Sequence, residues 1–270
     1  MRRLLLTGGS GLLGRAVQRA AAGEWEVHAP SHAALDVRDA AAVDAALRAL
    51  RPAAVIHTAY VRDGDNAWAT IVDGSAAVAH AAHSVGARVV HVSSDALFAG
   101  RPAAYAEHDA PDPVHDYGRA KAAAELAVAS SAPGAVVVRT SLLYGDAGSA
   151  AVRMVLDAAR ASSPSMRFFV DEVRSFAHVD DVARALVALA DLDVAGPLHI
   201  AGPHGLSRYE FARHVCAAYG LPDRSVRSGS SAELADPGRR PGCVVLDCSR
   251  AVALVRLPLP GSVAERLTAT

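Results

Sequence analysis

Residues 116–121, Asp-Tyr-Gly-Arg-Ala-Lys, form the stretch of the chain best suited to carry chemistry. They open a predicted helix over 117–131, which places Tyr117 and Lys121 on one helix face, one turn apart. An ammonium group near a phenol favours the phenolate and lowers the pKa of the tyrosine. Such a tyrosine can exchange a proton with a carbonyl or alcohol oxygen. The same spacing occurs by chance on amphipathic helices, so a functional assignment must rest on further motifs.

The composition describes a near-neutral chain, long enough for one large domain or for one domain with a small lobe. Its 270 residues are 51% hydrophobic and 20% charged, and the formal net charge is −1. Because there is no basic surplus and no polybasic run, we expect neither a nucleic-acid partner nor a membrane partner. The cysteines, Cys216, Cys243 and Cys248, lack metal-binding spacing, which predicts a reduced, cytoplasmic setting and no metal site.

Apolar runs alternate with helical patterns through the first half of the chain. Strands are expected at 3–7, 25–29, 54–58, 87–93 and 135–139. Helices are expected at 12–22, 39–50 with Asp39 as N-cap, 68–85 with a weak point at Gly74, and 117–131. Alternation of this kind is typical of βαβ units, and strands without polar alternation are buried on both faces. The sequence therefore predicts an α/β fold with a doubly wound parallel sheet.

The regular alternation of predicted strands and helices ends after residue 145. Helices are expected at 150–161, at 181–190 with Asp180 as N-cap, and from the capping box at 207–210 onward. Short strands are expected at 167–170 and 198–201. We therefore expect residues 1–145 to form a dinucleotide-binding domain. Residues 146–270 are expected to form mainly a small C-terminal substrate lobe, interleaved with the last sheet strands.

A glycine-rich turn joins the first strand to the first helix. Gly8, Gly11 and Gly14 are spaced three residues apart. In the dinucleotide-binding Rossmann fold, glycines at these places allow a tight turn, close approach to a pyrophosphate and packing of helix on strand. The N-terminus of the helix then offers free N–H groups to the phosphates. The context of an alternating α/β pattern favours dinucleotide binding over a purely structural turn.

The end of the second strand bears on the choice of cofactor. An NAD site usually has an acidic residue there, about 20 residues after the glycines, that binds the ribose 2′-hydroxyl. This chain has no carboxylate at residues 27–32, and Ser31 and His32, with Arg15 as a further candidate, could accommodate a 2′-phosphate. We therefore expect NADP(H) to be preferred, with NAD(H) possible.

Taken in order, the glycine turn, Ser93-Ser94-Asp95 and Tyr117-x-x-x-Lys121 make the chain resemble the extended short-chain dehydrogenase/reductases. Within them it looks most like the dTDP-4-dehydrorhamnose reductase group of sugar-nucleotide reductases. Further local matches to that group lie at 58–60 (Thr-Ala-Tyr), 93–100, 139–145 and 240–249. The resemblance spans almost the whole chain, and an ordered set of motifs is more specific than any one of them.

The resemblance implies roles for individual residues. The implied catalytic residues are Ser94, Tyr117 and Lys121, with tyrosine as general acid/base and lysine as its activator. The implied cofactor-binding residues are Gly8, Gly11, Leu12, Leu13, Gly14, Asp36, Val37, Ala59 and Tyr60, together with Tyr117 and Lys121. The implied substrate-binding residues are Ser94, Asp95, Ala96, Leu142, Arg174 and Arg240. A guanidinium such as that of Arg240 suits the phosphates of a nucleotide sugar.

Three positions depart from the pattern of the resembled group. Asp73 stands where that group has a helix asparagine that helps a proton relay. Ala96 and Leu142 replace a tyrosine and a tryptophan that line the sugar pocket. These losses put the particular sugar in doubt but leave the Ser–Tyr–Lys set intact. In segment 171–181, His178 could face the substrate but is more typical of a packing or capping residue.

The resemblance implies an NADPH-dependent reductase of a nucleoside-diphosphate keto-sugar, similar to dTDP-4-keto-6-deoxyhexose reductases. It also implies a homodimer that pairs through helices 68–85 and 117–131. One alternative is a sugar-nucleotide epimerase or dehydratase, which is weakened because Asp95 is followed by Ala96 and not by glutamate. Another is a non-catalytic NADP-binding partner protein, such as the regulatory subunit of methionine adenosyltransferase. Both alternatives stay open at this stage.

Overall fold

The computed structural model describes residues 1–161, 166–236, 238, 240–255 and 261–267. The strands are β1 (Arg2–Thr7), β2 (Trp25–His28), β3 (Ala54–His57), β4 (Arg88–Ser94), β5 (Val136–Thr140), β6 (Leu143–Tyr144), β7 (Arg167–Phe169), β8 (Val173–Arg174), β9 (Ala177–His178), β10 (Gly196–His199), β11 (Leu206–Ser207), β12 (Arg227–Gly229) and β13 (Cys243–Val244). The helices are α1 (Leu12–Ala21), α2 (Ala40–Leu50), α3 (Gly74–Ser84), α4 (Asp116–Ser131), α5 (Ala150–Arg160), α6 (Val179–Leu189), α7 (Arg208–Ala218), α8 (Ser249–Val255) and α9 (Val263–Arg266). Among these residues, no helix is both long enough and apolar enough to cross a membrane.

A six-stranded parallel sheet in the order β10-β5-β4-β3-β1-β2 forms the centre of the fold. Alternate residues of a strand point to opposite faces, so each apolar strand supplies two cores. Leu4 and Ile56 pack with α1 and α6 on one face, whereas Leu5 and Val55 pack with α2 and α3 on the other. The predicted α/β fold with a doubly wound parallel sheet is confirmed.

Most predicted elements agree with the structure to within about two residues, as expected for helix and strand ends. The helix expected at 68–85 changes at its predicted weak point, because a π-helical turn at Ala69–Asp73 precedes α3, which begins at Gly74. The strand expected at 198–201 lies slightly earlier, as β10. The predicted N-cap Asp180 was wrong. His178 caps α6 by accepting a hydrogen bond from the Asp180 N–H (3.3 Å), because the helix begins two residues earlier than expected.

A smaller lobe follows β5 and has its own core. The rings of Phe176 and Phe211 are stacked with centroids 4.2 Å apart, and Val152 and Val155 of α5 pack in the same cluster. The predicted capping box at Ser207 and Glu210 is present and starts α7. Three small sheets, β11-β8-β13, β12-β7 and β6-β9, complete the lobe. Two elements from this part of the chain belong to the larger domain: α6 packs on the central sheet and β10 is one of its strands.

Candidate active site

A cavity of about 590 Å³ lies where the C-terminal ends of the parallel strands meet the lobe, the usual ligand position in open α/β sheets. It brings together all three predicted catalytic residues and all six predicted substrate-binding residues. The predicted residues in its lining are Leu12, Leu13, Tyr60, Ser94, Asp95, Ala96, Tyr117, Lys121, Leu142, Arg174 and Arg240. Residues up to 228 positions apart in sequence therefore share one site.

The start of α4 is fixed against the turn at residues 95–97. His115 caps the helix, because its Nδ1 accepts a hydrogen bond from the Gly118 N–H (2.9 Å). At Gly118 the helix lies so close to the turn that a Cβ atom would be 2.2 Å from the Ala96 carbonyl oxygen. This close approach brings Tyr117 next to Ser94, near enough for the serine hydroxyl to act on the pKa of the phenol.

The predicted lowering of the Tyr117 pKa by Lys121 was wrong. Burial raises the pKa of the Tyr117 phenol well above its ordinary value, and Tyr60 adds to the rise, while the Ser94 hydroxyl opposes it. Lys121 lies one turn further along α4 but donates its hydrogen bond to the Val92 carbonyl (3.0 Å). Burial also lowers the pKa of the Lys121 ammonium, to about 8. The pKa values of the two groups thus move apart, and at neutral pH the tyrosine is a protonated donor.

Ser94 and Asp95 form a hydrogen-bonded network at the end of β4. The Ser94 hydroxyl accepts from the Ala96 N–H (3.2 Å) and donates to Asp95 Oδ1 (3.3 Å). Ser141 donates to Asp95 Oδ2 (2.6 Å), and the Arg174 Nε lies 3.8 Å from the same oxygen. Burial raises the pKa of Asp95, and Arg174 opposes the rise. The network holds the Ser94 hydroxyl at the cavity wall.

The lobe side of the cavity is basic. Arg174 is anchored by backbone carbonyls, including that of Pro241 (2.7 Å). Arg208 and Arg240 both donate to the buried carboxylate of Glu172, which is 1% exposed. Burial favours a higher pKa for Glu172, but the two guanidinium groups bring it below its ordinary value. The carboxylate therefore fixes two arginines at the cavity while neutralising one of their charges.

The glycine turn lies next to this cavity. Gly8 has a positive φ of 72°, and a Cβ atom there would be 2.7 Å from the Ala59 backbone nitrogen. α1 begins at Leu12 with Gly11 as its N-cap, without a side-chain cap and without an acidic residue in the first turn. Its first N–H groups are therefore available to an anion. Gly14 is buried within α1.

The other predicted cofactor residues near the second strand lie outside the cavity. Ser31 and His32 are exposed, and His32 Nδ1 is 4.0 Å from Asp36 Oδ1. Asp36 accepts a bidentate hydrogen bond from Arg38, which lowers the pKa of that carboxyl to about 2. The side chain of Val37 is packed in the core. The adenosine contacts of these residues stay a prediction.

Tyr60 lies at the mouth of the cavity, beside Tyr117 and Lys121. Its ring is 56% exposed, and its centroid is 6.1 Å from that of Tyr117 and 5.7 Å from Lys121 Nζ. Arg15, which the sequence suggested for a 2′-phosphate, lines the cavity and donates to the Ser10 carbonyl.

Several cavity residues were missed by sequence reasoning. Arg62, Arg153, Arg208, Ser141 and Glu172 line the same cavity. They lie on separate elements, and an arginine outside a motif carries no sequence signal of its own. The one signal that could have been used is the run 171–174, Asp-Glu-Val-Arg, which concentrates three charged residues at the start of the short strand β8.

Two further sequence expectations concern charged residues outside the cavity. His178 caps α6 and its ring lies edge-on to Tyr144 (5.3 Å), in agreement with a packing or capping role. Asp73 is exposed at the end of the π-helical turn. In the described ranges, no group of three or more His, Cys, Asp or Glu side chains is arranged to hold a metal ion.

Comparison with known proteins gives matches along the whole chain. The family model described as the RmlD substrate binding domain matches residues 1–265. Methionine adenosyltransferase 2 subunit beta from Xenopus laevis is 33% identical, covering 92% of this chain and 81% of that protein. A dTDP-4-dehydrorhamnose reductase from Sinorhizobium fredii is 28% identical, covering 96% and 93%. A dTDP-4-dehydrorhamnose reductase structure from Bacillus anthracis, in complex with NADP, has a TM-score of 0.88 and 26% identity, covering 99% and 97%.

Proposed function

Because this chain belongs to the RmlD substrate-binding domain family, we propose that it is an NADPH-dependent reductase of a nucleoside-diphosphate keto-sugar, of the short-chain dehydrogenase/reductase type. The observation that carries the proposal is the meeting of Ser94, Tyr117 and Lys121 at one wall of a cavity that also receives the glycine turn. The relative from Sinorhizobium fredii and the Bacillus anthracis structure, both named dTDP-4-dehydrorhamnose reductase, support this reaction class.

The residues around the glycine turn fit a dinucleotide. Gly8 closes the turn, and the free N–H groups at the start of α1 suit a pyrophosphate. A bound nicotinamide cofactor supplies the hydride. β2 ends without a carboxylate for a ribose 2′-hydroxyl, so NADPH is preferred and NADH is accepted less well. Fluorescence titration with both cofactors checks this, and equal or tighter NADH binding would contradict it.

Tyr117 supplies the proton of the reduction. Negative charge develops on the substrate oxygen, and the Tyr117 hydroxyl donates its proton there while the Ser94 hydroxyl turns from Asp95 to donate a hydrogen bond to the same oxygen. The raised pKa keeps this phenol protonated at neutral pH, which suits the reductive direction. Lys121, with a pKa of about 8, is close to the ambient pH and can return a proton to the phenolate.

The arginines at the lobe side suit the diphosphate of a nucleotide sugar. Arg208 and Arg240 are held by Glu172, and Arg62 lines the same cavity. Guanidinium groups bind phosphate oxygens bidentately. Ala96 and Leu142, smaller than the aromatic residues of the resembled reductases, leave the sugar pocket with a different wall. We therefore propose a keto-sugar that differs from the rhamnose precursor in shape.

Turnover with a panel of keto-sugar nucleotides tests the function. The absorbance of the reduced nicotinamide should fall when NADPH and a dTDP-4-keto-6-deoxyhexose, or another nucleoside-diphosphate keto-sugar, are added. The matched control is the same nucleotide bound to a sugar without a keto group, which should give no oxidation. If no member of the panel oxidises NADPH while the cofactor still binds, the reductase proposal fails.

The relatives named methionine adenosyltransferase 2 subunit beta favour one second candidate, an NADP-binding partner protein. Their identity to this chain reaches 33%, above the 28% of the reductase relative. The placement of the complete Ser–Tyr–Lys set at the cavity favours the reductase instead. Cofactor binding without turnover, together with a stable complex with a methionine adenosyltransferase catalytic subunit, would make the second candidate the better one.

We also propose a cytoplasmic homodimer. α3 and α4 lie side by side and are rich in alanine, which allows a close approach of a second copy, and Leu126 of α4 is exposed. Cys243 and Cys248 are thiols in the described part of the chain, which supports a reducing compartment. Light scattering at micromolar concentration should give twice the monomer mass, and a monomer would contradict the dimer.

A further inference from the structure

A row of buried polar side chains crosses the sheet beneath α3 and α4. Thr7 of β1 pairs with His57 of β3, and His57 pairs with His91 of β4. Partners in a parallel register point to the same face, so the three side chains lie in line. Their residues are 3%, 2% and 1% exposed. Because buried polar groups are normally hydrogen-bonded, each of these imidazoles is expected to have hydrogen-bond partners.

His57 has a fixed tautomer. The Ser75 hydroxyl donates to the Ile71 carbonyl (2.6 Å), so its oxygen must accept the contact with His57 Nε2 (3.1 Å). His57 therefore carries its proton on Nε2, and Nδ1 accepts from the Thr7 hydroxyl (2.6 Å). Both ring nitrogens of His57 are engaged, and the residue ties the end of β1 to α3.

His91 is different. Its ring is stacked on that of His57, with centroids 5.3 Å apart and planes at 22°. Across the described part of the chain, neither of its ring nitrogens has a hydrogen-bond partner. A neutral imidazole has one donor and one acceptor, and leaving both unmade in the interior is costly. Buried waters are the usual partners of interior polar groups that are left unpaired in this way.

Lys121 is the charged group next to His91. Its Nζ donates to the carbonyl of Val92, the residue that follows His91 in β4. The Lys121 charge acts on both histidines and lowers the pKa of each, after the larger effect of burial. The other ionisable groups around this ammonium are Glu125, one turn along α4, and Tyr60, whose ring it faces. Glu125 is itself paired, whereas both ring nitrogens of His91 and the hydroxyl of Ser93, on the same face of β4, have no hydrogen-bond partner in the described residues.

We propose that His91 holds a buried water against the Lys121 ammonium and is thereby the positioning residue that orients Lys121 and gives it a route for proton exchange. The inference rests on the proposed reductase function. In each turnover Tyr117 gives one proton to the substrate oxygen and Lys121 returns one to the phenolate. The water held by His91 then passes a solvent proton to the Lys121 amine, so one solvent proton is taken up in all. His57, with both nitrogens engaged, fixes the ring of His91 by stacking.

Nitrogen NMR of histidine-labelled protein tests the contact without a substrate. The His91 ring signals should show an inflection at the titration of Lys121, whose pKa lies at about 8, although the imidazole itself stays neutral. Lys121→Met should abolish the inflection. His199 is an internal reference, because it is equally buried but lies on β10, two strands away from β4. His91 signals that stay flat through this pH range in the parent protein would overturn the proposal.

Substitution tests the consequence for function. His91→Phe keeps a flat ring but cannot hold water, so the pH profile for NADPH binding should move down by about one unit, because the less solvated ammonium loses its proton more easily. kcat should fall about tenfold, the size of one lost hydrogen bond. His91→Gln restores a donor and an acceptor and should recover most of both effects. His199→Phe, the matched control, should leave both unchanged.

The outcomes separate this inference from the proposed function. A His91→Phe protein with the parent's binding profile, or a His91→Gln protein no better than His91→Phe, would overturn the role of His91. If His91→Phe does not fold, the NMR titration of the parent and of Lys121→Met still decides. Absence of turnover in the parent protein would contradict the reductase alone, since cofactor binding and NMR require no substrate.

Discussion

Glu125 and Arg139 form an ion pair in the interior, with Arg139 Nη2 2.8 Å from Glu125 Oε2 and side chains that are 9% and 4% exposed. Arg139 Nε contacts the same carboxylate (3.0 Å), and Nη1 donates to the Glu107 carbonyl (3.1 Å). Glu125 belongs to α4 and Arg139 to β5, so the pair fixes the distance between α4 and the central sheet. Lys121 lies one turn before Glu125 on the same helix, so the ion pair also fixes the position of Lys121 relative to the sheet.

Glu125→Ala should therefore be strongly destabilising. It leaves the Arg139 charge buried without a partner, which costs about 3–5 kcal/mol of unfolding free energy. Denaturant unfolding followed by circular dichroism measures the change. Asp44→Ala is the matched control, because it breaks the exposed pair with Arg48, worth about 0–1 kcal/mol. Equal losses in the two variants would contradict a structural role for the buried pair.

Tyr117→Phe should keep the fold and the cofactor site but remove the proton donor. General acid catalysis contributes about 10²–10⁴-fold, so kcat should fall by a factor of about 100 or more. Ser94→Ala should cost less, because it removes one hydrogen bond and leaves the proton source. Single-turnover kinetics with the preferred keto-sugar nucleotide measure both. Activity of Tyr117→Phe within about threefold of the parent would rule out the mechanism.

Lys121→Met should stabilise the protein at neutral pH while it destroys activity. The folded-state pKa of Lys121, about 8, lies below the ordinary value of 10.5, because burial disfavours the ammonium. The penalty on folding is absent above pH 10.5, grows as the pH falls, and is complete below pH 8. At pH 7 the variant should gain about 2–4 kcal/mol, since one pKa unit corresponds to about 1.4 kcal/mol. Thermal melts at pH 7 and pH 10.5 should show a gain that shrinks with pH.

The buried histidines should make the protein sensitive to mild acid. Burial lowers the pKa of His57 to about 3, from an ordinary 6.5, and the pKa of His91 also falls well below that value. Stability linked to these groups is full above pH 6.5 and is lost progressively as the pH falls toward 3. His57→Gln should reduce the loss of unfolding free energy that the parent protein shows between pH 7 and pH 4. An unchanged slope would show that other groups dominate acid unfolding.

The sequence predicted those features that local pattern determines. The glycine turn, the apolar strands and the Tyr117-x-x-x-Lys121 face all depend on spacing within a few residues. Long-range packing decided the rest. The Lys121 ammonium is directed by the Val92 carbonyl of β4, and the pKa of Tyr117 is raised by burial and, to a smaller extent, by Tyr60; no local motif encodes either effect. The same holds for Glu172 and its two arginines, Arg208 and Arg240, which come from three separate parts of the chain.

The N-cap of α6 shows that local sequence alone does not decide between two nearby capping residues. Both His178 and Asp180 have a side chain able to accept a hydrogen bond from a helix N-terminus, and the sequence favoured the aspartate. The helix starts at Val179 because that residue and Val182 reach the core beside α1, and Asp180 then pairs with Arg19 (2.6 Å). Burial of apolar residues therefore placed the helix start two residues before the predicted one.

The strand β10 enters the central sheet only after the chain has passed through much of the lobe. Gly196 pairs with Val136, so the edge of β5 stays open during synthesis until the lobe segment between them has emerged. An unpaired parallel edge is a template for association with other chains, and closing it across a long segment is slow. A growing polypeptide is therefore most exposed to aggregation between the completion of β5 and the arrival of β10. We expect chaperones to bind the nascent chain mainly during that interval.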